Sequence, residues 1–134
     1  MIRGLGLDVV DLAGFRAQLD VPGSTFEEAT FTLAERREAR LRPDDDPARH
    51  LAARYAAKEA FLKAWSGGRW GASPVLPGVD LREIEVSSDA WGRPSLRLHG
   101  VLASAVAPEL RWWVSLSHDG GVVAAVVVVD ASES

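Results

Sequence analysis

Residues 2–10, IRGLGLDVV, alternate between large apolar side chains and small or polar ones. Period two is the pattern of a strand. Leu5, Leu7 and Val9 fall on one face, and Gly4, Gly6 and Asp8 on the other. Residues 11–20 read as a short helix or turn closed by VPGS. A helix is predicted over 32–42, TLAERREARLR, where Thr32 and Glu35 have the spacing of a capping box. PDDDP (43–47) reads as a loop, with Asp46 and Pro47 as N-cap and first residue of the next helix. That helix runs from about 47 to 66 and stops at Gly67–Gly68. RWGASPVLPG (69–78) follows as a loop. LREIEVSS and PSLRLHG read as strands around the turn DAWGR, and VLASAVA (101–107) as a short helix closed by Pro108. RWWVSLSH and VVAAVVVV form a last hairpin around DGG. The order is β-α-α-α-β-β-α-β-β, and no internal repeat is visible. Helices do not alternate regularly with strands, so the pattern predicts one α+β domain over 1–134, with a mostly antiparallel sheet packed on one long helix and shorter helices.

The long helix breaks the usual pattern. At about 100° per residue, Leu51, Tyr55, Leu62 and Trp65 define an apolar stripe, and Lys58 projects into its middle. The opposite side carries no charge and consists of Ala52, Ala53, Ala56, Ala57, Ala60 and Ala64. A surface helix would place its charges there.

Composition narrows the function classes. The chain has 134 residues, 47% hydrophobic and 25% charged, with a net charge of −4. That balance suits one soluble domain, and its mild acidity argues against a nucleic-acid binder. Cysteine is absent, which excludes disulfides, thiolate metal sites and Cys nucleophiles. The N-terminal stretch has an Asp where a signal peptide needs an apolar core, and VVAAVVVV is too short to span a bilayer. A cytoplasmic location is expected.

Three features carry candidate chemistry. His50, Arg54 and Lys58 recur every fourth residue and form a cationic row with no acidic residue of the same helix inside it. Like charges at that spacing repel, and a phosphate would relieve them. Glu59 lies beside the row and Lys63 one turn beyond Glu59; alternatively these two are a solvated pair while Arg54 and Lys58 extend their ends to water. Asp8 lies on a strand face otherwise made of glycine, where something approaches the backbone closely. It either caps a turn or pairs with an Arg, or joins a second carboxylate around Mg²⁺, which takes one or two protein carboxylates and leaves other positions to phosphate and water. His118 ends a strand at a glycine turn, on the face of Trp112, Val114 and Leu116, and is either a core residue or a ligand contact. His99 has no companion motif and reads as surface.

GLGLDVVDL, RYAAKEAFLKAW and VSLSH, in this order along nearly the whole chain, resemble the holo-acyl-carrier-protein synthases, the short 4′-phosphopantetheinyl transferases. The resemblance implies that fold, and transfer of 4′-phosphopantetheine from coenzyme A to a serine of an acyl carrier protein, releasing 3′,5′-ADP. It implies metal ligation by Asp8 and Glu59, coenzyme A diphosphate contacts from Lys58 and Lys63, and contacts to the nucleotide end from Arg54 and His118. Mg²⁺ would bridge the two carboxylates and the diphosphate; the serine proton would go to Glu59 or to a metal-bound hydroxide, and Lys63 would stabilise the transferring phosphoryl group. The larger transferases contain two copies of this unit. A single copy implies symmetric assembly, typically a homotrimer with sites between subunits. His118 is followed by Asp119, where many relatives have Thr. The segment after the first strand offers only Arg16 to an acidic carrier, with Arg36, Arg37 and Arg40 as further candidates.

Overall fold

The computed structural model describes residues 1–41 and 46–132, so the loop expected over 43–47 lies outside the described residues as far as position 45. Strand β1 (Ile2–Asp11) ends where Asp11 caps helix α1 (Leu12–Leu19), accepting a hydrogen bond from the Gly14 amide at 3.0 Å. Helix α2 (Phe26–Thr30) is a single turn that the sequence pattern did not predict. Five residues are too few to display a helical period. What holds the turn is an edge-to-face aromatic cluster of Phe15, Phe26, Phe31 and Tyr55.

Helix α3 (Leu33–Leu41) begins with the expected capping box: the Thr32 amide donates to Glu35 Oε1 at 2.9 Å, and the Glu35 amide donates to Thr32 Oγ1 at 3.2 Å. Helix α4 (Pro47–Gly67) is capped by Asp46, which accepts from the Ala48 and Arg49 amides. Residues Leu81–Glu83, expected as strand, form a 3₁₀ turn capped by Asp80. Strands β2 (Ile84–Ser88) and β3 (Pro94–Leu98) form an antiparallel hairpin. Helix α5 (Gly100–Ala105) leads to β4 (Leu110–Asp119) and β5 (Val122–Ala131).

Strands β1, β5 and β4 form an antiparallel sheet in that order. Asp8 pairs with Ala125, which pairs with Leu116; Val10 pairs with Val123, which pairs with His118. The inner face of this sheet packs on α4. Ala52, Ala56, Ala57, Ala60 and Ala64 are all sealed from solvent. The charge-free alanine side is therefore the interface between helix and sheet. Gly4 and Gly6 sit against the carbonyls of Ala64 and Ala60, where a Cβ on either glycine would collide with helix backbone. Small residues on both partners bring strand and helix into backbone contact.

The other face of the sheet is open in the single chain. Leu5, Leu7 and Val9 point outward and are 65%, 58% and 59% exposed, and Trp113 of β4 lies across Val128 of β5 from Leu5. The apolar half of the alternating strand thus faces away from the chain's own core.

Candidate active site

The close approach of β1 to α4 sets the first part of the site. Gly4 meets Ala64 and Gly6 meets Ala60, so Asp8, the next inward position, arrives further towards the helix N-terminus. There it meets Lys63, whose Nζ donates to Asp8 Oδ1 at 3.1 Å and to the Leu7 carbonyl at 3.0 Å. Glu59 stands one turn before Lys63. Burial and the neighbouring Asp8 carboxylate push the Glu59 carboxyl above its ordinary range, while Lys63 and the nearby Tyr55 phenol oppose that shift. The Tyr55 phenol is itself pushed up, first by burial and then by Glu59 and Asp8. Two carboxylates are thus held together with one cation between strand and helix. Among the described residues, no group of three or more His, Cys, Asp or Glu side chains gathers in one place.

The second part of the site is a cavity of about 270 Å³ between the first turns of α4 and the end of β4. Asp46, Arg49, His50, Arg54, Ser117 and His118 line it, Asp46 being the residue that caps α4. Asp46 also pairs with Arg16 of α1. Arg54 is buried, its Nη2 lying 3.4 Å from both Glu38 Oε1 and Ser88 Oγ. His118 is exposed at the strand end. The cavity joins the Arg54 and His118 that the sequence singled out. Arg49, which the sequence reading passed over, sits in the first turn of α4 beside His50.

Lys58 stands apart from both clusters, and its position corrects the expectation that it faces a phosphate. It is 0% exposed. Its three ammonium protons are matched by Glu35 Oε1 at 2.8 Å, the Leu81 carbonyl at 2.8 Å and the Ile84 carbonyl at 2.6 Å. Burial pushes this ammonium below the usual lysine range, and Glu35 opposes that shift. Glu35 Oε2 accepts from the Val86 amide at 3.0 Å. One ion pair therefore ties α3, α4 and β2 together. The anion that compensates Lys58 is a carboxylate of this chain, contributed by another helix and so invisible to a single-helix reading.

Tyr55 is the other residue that the pattern misassigned. It lies four residues before Glu59 on the same helix face, yet its place in the apolar stripe made it look purely structural. His99, read as lacking a companion, lies 3.2 Å from Glu85 Oε1, and the other oxygen of Glu85 accepts from Thr32 Oγ1 at 2.7 Å.

Within one chain the two clusters occupy different faces of α4. Asp8 and His118 lie on β1 and β4, with β5 between them. Against this geometry, the family model described as "4′-phosphopantetheinyl transferase superfamily" matches residues 4–127. The chain belongs to that superfamily. It is 49% identical to the holo-[acyl-carrier-protein] synthase of Mycobacterium tuberculosis over 130 residues, covering 97% of this chain and 98% of that one. The holo-[acyl-carrier-protein] synthase of Mycobacterium ulcerans is also 49% identical, over 131 residues and 98% of each chain. Among solved transferase structures, the ACPS–CoA complex of Chronobacterium ammoniagenes superposes with a TM-score of 0.89 at 41% identity, covering 96% of this chain and 97% of that one. The acyl carrier protein synthase of Mycobacterium tuberculosis superposes with a TM-score of 0.80 at 42% identity, covering 98% and 100%. The α+β arrangement of one long helix against antiparallel strands is the fold these transferases share.

Proposed function

We infer that the chain is a holo-[acyl-carrier-protein] synthase that transfers 4′-phosphopantetheine from coenzyme A to a serine of an apo acyl carrier protein. The observation that carries this reading is the Asp8–Glu59–Lys63 cluster, two carboxylates and a cation built at a backbone-tight contact. The serine oxygen forms a bond to the β-phosphorus of coenzyme A, and the bond from that phosphorus to the bridging oxygen breaks. Pantetheine phosphate remains on the carrier and 3′,5′-ADP leaves.

The donor set fits Mg²⁺: hard carboxylate oxygens, two from the protein, with the remaining positions left to substrate and water. Asp8 and Glu59 would hold the ion, which when bound supplies charge neutralisation at the diphosphate. Lys63 stabilises the phosphoryl oxygens during transfer. Glu59 is the carboxylate of this chain that accepts the serine proton in this reading. Arg54 and His118, with Arg49 and His50, hold the phosphates at the nucleotide end. Lys58 acts only as support.

The test is the intact mass of an apo carrier protein incubated with this chain, coenzyme A and Mg²⁺. A gain of one phosphopantetheine is expected; no gain on any of several carriers overturns the reading. A role on carriers of fatty acid synthesis in the cytoplasm is part of the same reading; no helix of the described residues is long and apolar enough to cross a membrane.

The active enzyme is a homotrimer with composite sites. Support comes from the separation of the two clusters in one chain and from the exposed apolar row Leu5, Leu7 and Val9, a patch typical of a contact surface. Asp8 and Glu59 of one subunit then face Arg54 and His118 of its neighbour. Asp8→Ala and His118→Ala, each largely inactive alone, are unfolded and refolded together in equal amounts. With random mixing, roughly a quarter of cyclic head-to-tail interfaces join two intact halves, and activity returns toward that fraction. Mixed oligomers as inactive as their parents would overturn the composite site.

A further inference from the structure

Helix α3 turns Glu35 and Ala39 inward, where both are buried, and its opposite side points away from α4. Leu33, Arg37 and Leu41 recur every fourth residue on that outer side, and Arg36 and Arg40 run beside them. The five line a groove of about 590 Å³ to which no other element contributes. Leu33 is 55% exposed and Leu41 77%, so two large apolar side chains of one short helix stand in solvent.

The cations between them differ in their ties. Arg40 pairs with Glu27 at 2.6 Å and donates to the Arg36 carbonyl at 3.1 Å, and Arg36 lies 3.9 Å from both Glu27 and Glu28. These pairs hold both side chains against α2. Arg37 makes no ion pair or hydrogen bond among the described residues. An unmatched guanidinium framed by two exposed leucines is complementary to an acidic amphipathic helix, whose carboxylates meet the arginines while its apolar side chains cover Leu33 and Leu41.

The position of this face suits a protein substrate. Helix α2, which Arg36 and Arg40 reach across, sets Phe26 5.9 Å from Tyr55, and Tyr55 stands beside Glu59. Helix α1 offers no comparable cation: its one basic side chain, Arg16, is taken by Asp46. We propose that the outer face of α3 docks the apo carrier protein, by receiving a helix that presents carboxylates beside apolar side chains. The proposal rests on the transferase reading and adds to it the surface that holds the acceptor.

The test is binding of a fluorescently labelled apo carrier protein to the full chain, followed by anisotropy, with coenzyme A titrated separately by calorimetry. Binding is read without turnover, so a chain that docks the carrier and transfers nothing contradicts the transferase reading and not the docking face. Arg37→Glu should weaken carrier binding about tenfold or more, because a like charge replaces an opposite one at the contact. Arg37→Lys should keep most of the affinity. Leu33→Ser should weaken binding about threefold or more through lost apolar burial. Added salt should weaken the parent's binding and have little further effect on Arg37→Glu. Both positions are exposed, so the variants should match the parent in far-ultraviolet circular dichroism, sedimentation and affinity for coenzyme A. Carrier binding that Arg37→Glu and Leu33→Ser leave unchanged would overturn the proposal, as would a parent that binds no carrier. A variant that sediments as a smaller assembly would show that the face joins copies of this chain, and a parallel loss of coenzyme A affinity would make it part of the coenzyme site; either result also overturns it.

Discussion

Lys58 has all three ammonium protons on acceptors of this chain, and no water reaches it. Truncating it leaves Glu35 buried with its charge unmatched, a change that costs about 3–5 kcal/mol in comparable pairs. Lys58→Ala should therefore unfold at markedly lower denaturant while the folded fraction binds coenzyme A with unchanged affinity, measured by calorimetry below the transition. Weakened binding with normal stability would restore Lys58 to the phosphate row. Glu59 behaves in the opposite way. Its folded carboxyl binds a proton more tightly than the unfolded one, because burial and Asp8 disfavour the charge. The stabilisation it contributes is full below the unfolded pKa and is lost as pH rises through the folded pKa. In metal-free protein, Glu59→Gln should gain stability relative to the parent as pH climbs from the ordinary glutamate range upward, read from denaturant midpoints. Added Mg²⁺ should stabilise the parent and not the variant. The sequence displayed Asp8, Glu59, Lys63, Arg54 and His118 as charges out of place, and the structure gathers them into two clusters. It also displayed Lys58 in the same way, and there the reading went wrong. A charge in an apolar stripe shows that something compensates it, but not which element supplies the partner.

At the scale of elements, the strand–helix contact dominates. Gly6→Ala places a methyl group against the Ala60 carbonyl, and backbone on both sides leaves nothing flexible to yield. Overpacking of this kind costs typically about 1–3 kcal/mol, and the upper end is expected here. Thermal unfolding of Gly6→Ala should show it. Gly23→Ala has open space around its Cβ position but a φ of 74°. It should show only the backbone penalty, smaller than that at Gly6. Long periodic elements such as β1, α4 and the β4–β5 hairpin were legible because each repeats its period several times. The single turn of α2 and the 3₁₀ turn at 81–83 were not, since an aromatic cluster and an Asp cap hold them rather than any repeat.

For the whole molecule, the outward face of β1 is the weak point of an isolated chain and the strength of an assembly. Leu7→Glu places a charge in the centre of the exposed apolar row without touching the inner core. The variant should sediment at the mass of a single chain, keep its far-ultraviolet circular dichroism, and lose transfer activity. A folded, active single chain would show that one subunit holds a complete site. That the outer face is apolar was visible in the alternation of Leu5, Leu7 and Val9. Which face turns outward was not, because the larger apolar side chains would be expected inside, whereas the glycine face docks on α4 by close backbone approach.

The glycine pair on β1 also governs how the chain reaches its native pairing. Only the alignment that sets Gly4 on Ala64 and Gly6 on Ala60 clears the helix backbone. A slip of two residues keeps the same faces but brings Asp8 onto Ala60 in one direction and removes a glycine from the contact in the other. Each slipped pairing drives a side chain into a carbonyl. The strand is thus gauged against the helix during folding, and the backbone positions that carry the two carboxylates are set when strand and helix dock.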